Sequence, residues 1–157
     1  MELLFLLAFT LHNLEEGIWL PRWSKHAGKY YSPVSNREFH FALIVITSVG
    51  YFITFLFLLF GQTSEAFKYI FLGFVVMMSI NSIFPHLLAT IVLKRYAPGT
   101  LTGLLLNLPI GIAIFINSLE TGMQLHLIII SGVIITVLSI AALRPLFKLG
   151  NKLIDEY

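Results

Sequence analysis

Apolar residues run along this chain in five blocks, roughly 2–20, 39–60, 67–94, 100–117 and 124–148, with polar residues gathered mainly in the breaks. Each block is close to the ~20 residues a helix needs to cross bilayer hydrocarbon, where helices and closed barrels alone satisfy every backbone group. The pattern predicts an all-α integral membrane protein, a five-helix transmembrane bundle forming one domain over 1–157. The breaks carry turn chemistry. Pro21 to Asn36 mixes Pro, Gly, Ser and charge, and Gly61-Gln62-Thr63-Ser64 is a short polar turn. Ala97-Pro98-Gly99-Thr100 sets Pro and Gly at the central positions of a type II turn, with Thr100 expected to cap the next helix. Asn117-Ser118 and Thr121-Gly122 divide the last two blocks, and Gly150 to Tyr157 is a polar tail. No internal repeat is evident.

Composition agrees. The chain is 57% apolar and 11% charged, with a mean hydropathy of +0.87. A soluble domain carries about 25% charged residues, so a soluble enzyme or a nucleic-acid binder is excluded. The absence of cysteine removes disulfides, thiolate metal sites and thiol nucleophiles. The placement of the ten Lys and Arg then sets an orientation. Five spans put Arg22, Lys25, Lys29, Arg37, Lys94, Arg95, Arg144, Lys148 and Lys152 on one side and Lys68 alone on the other. The positive-inside rule makes the N-terminus external and the C-terminus cytoplasmic, in a multi-pass protein of the cell membrane. Trp19, Trp23, Tyr30, Tyr31 and Tyr96 lie beside the basic segments, as an interfacial aromatic belt would. The first block lacks a basic n-region and an A-x-A-like site, so it is read as a span and not as a cleaved signal.

Inside that first block stands His12-Asn13-Leu14-Glu15-Glu16. Two ionised carboxylates at the centre of a membrane helix cost roughly 5–7 kcal/mol on insertion scales, which a purely structural span does not need. On a helix, His12, Glu15 and Glu16 fall within an arc of about 100°, so three ligand types can face one point. That is a metal-site pattern, either one His–carboxylate site or half of a di-metal carboxylate site.

At 1.5 Å of rise per residue, Glu16 lies about 9 Å and His12 about 15 Å from Arg22 at the basic end. By the same count His86 lies about 13 Å from Arg95, Asn107 about 10 Å from Thr100, and His40 about 4–5 Å from Arg37. Asn81 comes out deeper, at about 21 Å. Four helices thus bring polar groups to one layer in the cytoplasmic half of the bilayer. Plainer readings stand beside this one. Snorkelling is chiefly a Lys and Arg device and does not suit His12. His86 alone reads as a satisfied core histidine, and its depth makes it a ligand. His40, with Glu38, reads first as an interfacial helix start and second as a fifth ligand. Asn107, with Pro109 and Gly111, reads first as helix packing. Arg95 is either a topology anchor or a holder of an anionic head group, and Asn81, Arg95 and Asn107 are the candidate substrate contacts. His126 and Glu120 sit at the opposite end, and His26 is a loop residue.

No Walker loop, dinucleotide fingerprint, G-x-S-x-G elbow or H-E-x-x-H is present. The motif His12-Asn13-Leu14-Glu15-Glu16, with Asn81-Ser82-Ile83-Phe84-Pro85-His86 and Arg95-Tyr96-Ala97-Pro98-Gly99, resembles the HXXEE domain family of small membrane proteins over about residues 8–110. The resemblance implies that His12, Glu15, Glu16 and His86 act together; it implies no particular reaction. The paired glutamates are chemically similar to those of CAAX-type intramembrane proteases. That motif expects an arginine four residues after the second glutamate, where this chain has Leu20.

The expectation is a metal-dependent membrane enzyme acting on a lipid or other apolar substrate. His12, Glu15, Glu16 and His86 would hold one or two divalent ions (zinc, manganese or iron), with His40 as a fifth ligand and Glu15 or Glu16 as the catalytic carboxylate. Hydrolysis is preferred to di-iron oxidation because few ligands are visible. The competing classes are a proton- or ion-coupled transporter, which at this length would need a second copy of the chain, and a non-catalytic membrane partner.

Overall fold

The computed structural model describes residues 1–28 and 32–154; Lys29, Tyr30 and Tyr31 of the expected basic and aromatic belt, and the last three residues of the tail, lie outside them. Five helices are each long and apolar enough to cross a membrane: α1 (Glu2–Ser24), α2 (Asn36–Phe60), α3 (Glu65–Leu93), α4 (Thr100–Glu120) and α5 (Leu125–Leu153). The expected blocks and the helices coincide in number and order, and the helices run two to five residues past the blocks at half of the ends. α1 continues through Pro21 to Ser24, where a loop was expected. The Pro21 carbonyl is taken up by the Ser24 hydroxyl at 2.9 Å, and that same hydroxyl accepts the Val34 amide at 3.1 Å, fastening the following loop. Ser35 and Glu38 form a capping box at the start of α2.

α3 is the central helix and packs on α5, α4 and α2, while α1 lies against α2 and the start of α4. One half of the bundle packs around apolar side chains. Phe5 and Phe9 of α1 meet Phe74 edge to face, with centroids 5.4 and 5.0 Å apart, and Phe57 stacks on Phe71 at 4.4 Å. Such offset and edge-on pairs suit the ring quadrupoles. Small residues let the backbones close up. A Cβ on Gly73 would lie 2.3 Å from Ser131 Oγ and 2.7 Å from the Ser131 backbone, so α3 and α5 approach there with only the small Ser131 side chain at the contact.

The other half of the bundle, toward the basic end, holds the interruptions. α3 loosens to a π-helical stretch over Ser82–Leu87, and Phe84 leaves helical geometry altogether (φ −125°, ψ 116°). α4 is π-helical over Gly103–Asn107. Between them Ala97–Thr100 forms the expected type II turn: Gly99 has φ +89°, and the Thr100 amide bonds Ala97 O at 3.1 Å. Trp23 is buried against Ala27 and Ala97 here, packed in the protein where an interfacial anchor was expected.

Candidate functional site

The polar residues of α1 divide between two neighbours. Glu15 and Glu16 are adjacent on the helix and therefore about 100° apart around it. Glu15 turns to the start of α4 and Glu16 to the π-helical part of α3.

Glu15 is almost fully buried and accepts four hydrogen bonds. Oε1 takes the Gly99 amide at 2.7 Å and the Tyr96 hydroxyl; Oε2 takes the Thr102 amide at 3.1 Å and the Thr102 hydroxyl at 2.6 Å. The carboxylate thus caps the first turn of α4, where free N–H groups and the helix dipole favour negative charge. Thr100, the expected cap, cannot do this. Its hydroxyl turns back to Ala97 O at 2.6 Å and to the Thr90 hydroxyl at 2.9 Å. Although the Tyr96 ring is nearly half exposed, desolvation of its phenol and the bond to Glu15 push its pKa up to about 12. It therefore stays a protonated donor at neutral pH.

Glu16, His12 and His86 come together. Their ligand atoms all lie within 4.8 Å of one another, the one such group among the described residues. Glu16 Oε1 is 3.2 Å from His86 Nε2, and Oε2 is 3.8 Å from His12 Nε2. The two imidazoles meet edge to face at 5.0 Å, with His12 fully buried and His86 5% exposed. Asn81 joins them: its Nδ2 is 3.3 Å from His12 Nε2 and 3.1 Å from His86 Nε2. Regular-helix depth put Asn81 too far away, but residues five apart stack in a π-helical turn, and the Phe84 break adds to the approach.

The hydrogen bonds also fix a tautomer. The Thr102 hydroxyl has one proton, which goes to Glu15 Oε2, so at 3.2 Å its oxygen accepts from His12 Nδ1. His12 Nε2 then carries the lone pair, which faces the Asn81 amide as well as Glu16 and His86. Two imidazole nitrogens and a carboxylate converge beside the Asn81 amide, a set of groups able to hold one cation. A carboxylate holding a histidine through its second nitrogen is the arrangement that orients metal-bound imidazoles, here with Thr102 as intermediary.

Gly99 forms the floor of this group. A Cβ there would come within 2.8 Å of His86 and 2.9 Å of His12, at a φ that L-residues avoid. Gly99→Ala is expected to cost about 1–2 kcal/mol in backbone strain alone. By spreading the histidines it should also weaken any divalent-ion binding by this group about 10–100-fold, measured by titration against a metallochromic indicator.

The other candidate residues stand outside the group. His40 holds Nε2 2.7 Å from the Gly17 carbonyl oxygen, so this nitrogen is its donor and turns to α1 backbone. Arg95 is exposed. Asn107 is wholly buried, and neither of its side-chain amide atoms has a hydrogen-bond partner. His126 and Glu120 are exposed at the far end, and exposed His26 turns Nδ1 to the Arg22 carbonyl oxygen at 3.0 Å.

Glu16, Asn81 and His86, with Asn13, Thr136 and Ser139, form the polar part of the wall of a cavity of about 320 Å³, at the low end of small-molecule sites. The rest of the wall is mainly apolar: Phe9, Leu20, Met78, Phe84 and, from α5, Ile140 and Phe147. Sequence reasoning missed α5 because it carries no ligand-type residue there, and missed Tyr96 and Thr102 as partners of Glu15. The Pro98-Gly99 turn was the one signal that pointed near them.

The family model described as "Protein of unknown function with HXXEE motif" matches residues 3–114, which include both histidines, both glutamates and the Pro98-Gly99 turn. The chain is also 48% identical over 149 residues to "Uncharacterized protein YrkK" of Bacillus subtilis (strain 168), covering 94% of each. No solved structure matches.

Proposed function

This chain belongs to the HXXEE family, and we propose that it is a membrane metalloenzyme that hydrolyses a lipid or other apolar substrate. The observation that carries the reading is the convergence of His12, Glu16 and His86, with Glu16 and His86 on the wall of a mainly apolar cavity and His12 buried behind them. Two histidines and one glutamate form a ligand set of catalytic zinc sites, which leave a fourth position to water or substrate. One ion held there would supply Lewis-acid activation of water. With Glu15 committed to the start of α4, a single carboxylate faces the cavity, and this supports one ion over a di-iron pair and hydrolysis over oxidation. Glu16 would bind the ion through one carboxylate oxygen, and its other oxygen would accept the proton of the attacking water. Asn81 steadies both imidazoles, and the apolar wall holds the hydrocarbon part of the substrate away from water.

The test is turnover in liposomes. Wild-type protein should hydrolyse a fluorogenic acyl-ester lipid, lose activity to a chelator and regain it with added divalent ion. Glu16→Gln should lower the rate about 10²–10⁴-fold. Absence of hydrolysis across ester, amide and phosphodiester probes by metal-loaded protein would sink the reading. A second reading rests on the helix interruptions at Ser82–Leu87 and Gly103–Asn107, since broken helices also build transport sites. In that case a proton would be the cation between Glu16 and the histidines, and proton flux across the liposomes would appear without turnover. A non-catalytic role would show as a membrane partner lost from His12→Ala.

The basic residues support an external N-terminus and a cytoplasmic site. Because the chain has no cysteine, single substitutions report this cleanly. Gln62→Cys should react with an impermeant maleimide on intact cells, and Lys25→Cys only after permeabilisation. The reverse pattern would invert the topology.

A further inference from the structure

On the far side of α1 from α4, α1 and α2 enclose an open groove of about 650 Å³. Its floor is apolar, built from Leu14, Ile18, Leu43 and Ile44, of which Leu14, Ile18 and Ile44 are more than half exposed. One end carries Arg22 and Lys25. Among the described residues neither cation meets a carboxylate within ion-pair distance. The eight residues from Leu14 to Arg22 span about 12 Å, so the groove runs from the level of the basic end toward the middle of the bundle.

We infer that this groove binds one anionic phospholipid, its phosphate between Arg22 and Lys25 and an acyl chain along Leu14, Ile18 and Ile44. Three observations commit it to that occupant. Cations with no carboxylate partner among the described residues at one end, and exposed apolar surface along the rest, match the two halves of such a lipid, and basic pockets between membrane helices take acidic head groups. A free phosphate would leave the apolar floor uncovered. A second copy of this chain offers no unengaged carboxylate at the basic end among the described residues, because Glu15 caps α4, Glu38 caps α2 and Glu16 faces the histidines. The site is separate from the proposed chemistry. Asn13 and Leu43 form part of both the groove and the cavity, and stand between them.

The test is thermal unfolding of the whole protein in neutral detergent with added dioleoyl phosphatidylglycerol, dioleoyl phosphatidylcholine or inorganic phosphate. Phosphatidylglycerol should raise the melting temperature saturably, and the other two should not. Each basic residue near an anionic lipid is worth about fivefold, so Arg22→Gln/Lys25→Gln should weaken apparent affinity about thirtyfold. Arg144→Gln/Lys148→Gln, at the same end on α5, should leave it within about twofold. Should the first double variant fail to fold, each single variant carries the test with a loss of about fivefold. Equal stabilisation by phosphatidylcholine, a shift reproduced by phosphate alone, unchanged affinity in the Arg22/Lys25 variants, or an equal loss in the α5 control would each overturn the assignment. None of these outcomes depends on metal or turnover.

Discussion

Replacing His86 by alanine is expected to abolish divalent-ion binding by the proposed His12, Glu16 and His86 site. Wild-type protein purified without chelator should carry close to one ion per chain, and His86→Ala or His12→Ala less than a tenth of that, measured by elemental analysis. The reasoning is geometric. His12 Nε2, His86 Nε2 and the Glu16 carboxylate are the donors that converge, so losing one of three exceeds the 10–100-fold cost typical of removing a supporting partner. Truncating His86 also removes the edge-on contact that buries His12, and leaves Glu16 facing one imidazole. His40→Ala provides the contrast. Its Nε2 serves the Gly17 carbonyl, and metal content should not change.

Glu15→Ala should have the largest effect on stability and a different signature. The substitution leaves the Gly99 and Thr102 amides and the Tyr96 and Thr102 hydroxyls without their shared acceptor, in a place where Glu15 is 5% exposed. Hydrogen bonds to a charged group are worth about 1.5–3 kcal/mol, and breaking such a network costs about 3–5 kcal/mol in all. Glu15→Gln, which keeps one acceptor oxygen, should lose less and should still bind metal, because the Thr102 oxygen can go on orienting His12. Unfolding in detergent and metal content read on the same two variants check both statements. A Glu15→Gln protein as metal-free as His86→Ala would make Glu15 a ligand after all.

The contrast between Glu15 and Glu16 shows where the sequence was legible. Five helices could be read because hydrocarbon demands long uninterrupted apolar runs, and that demand leaves little freedom. His12, Glu15 and Glu16 stood out for the converse reason, since charge inside such a run is costly and marks an inward-facing purpose. What could not be read is which helix each side chain meets. Glu15 and Glu16 share an arc on α1, yet one serves the N-terminus of α4 and the other the histidines, a division set by where the neighbouring helices pack. Asn81 shows a second reason. Depth counting assumes 1.5 Å per residue, and the π-helical stretch with its break at Phe84 overrides that count. His40 sits at a suitable level on α2 but turns to a backbone carbonyl. The cavity wall of α5 was invisible because its apolar lining looks the same as apolar membrane-facing surface, and Thr136 and Ser139 are too ordinary in a membrane helix to mark it.

The central proposition is that imidazoles and an acid from α1 and α3 are drawn together around one shared cation. X-ray absorption at the metal edge of the loaded protein tests it most directly. The spectrum should fit two imidazole nitrogens and one carboxylate oxygen at about 2.0–2.2 Å, with one imidazole lost in His86→Ala and none in His40→Ala. A spectrum lacking imidazole scattering, or one unchanged by the loss of His86, would contradict it.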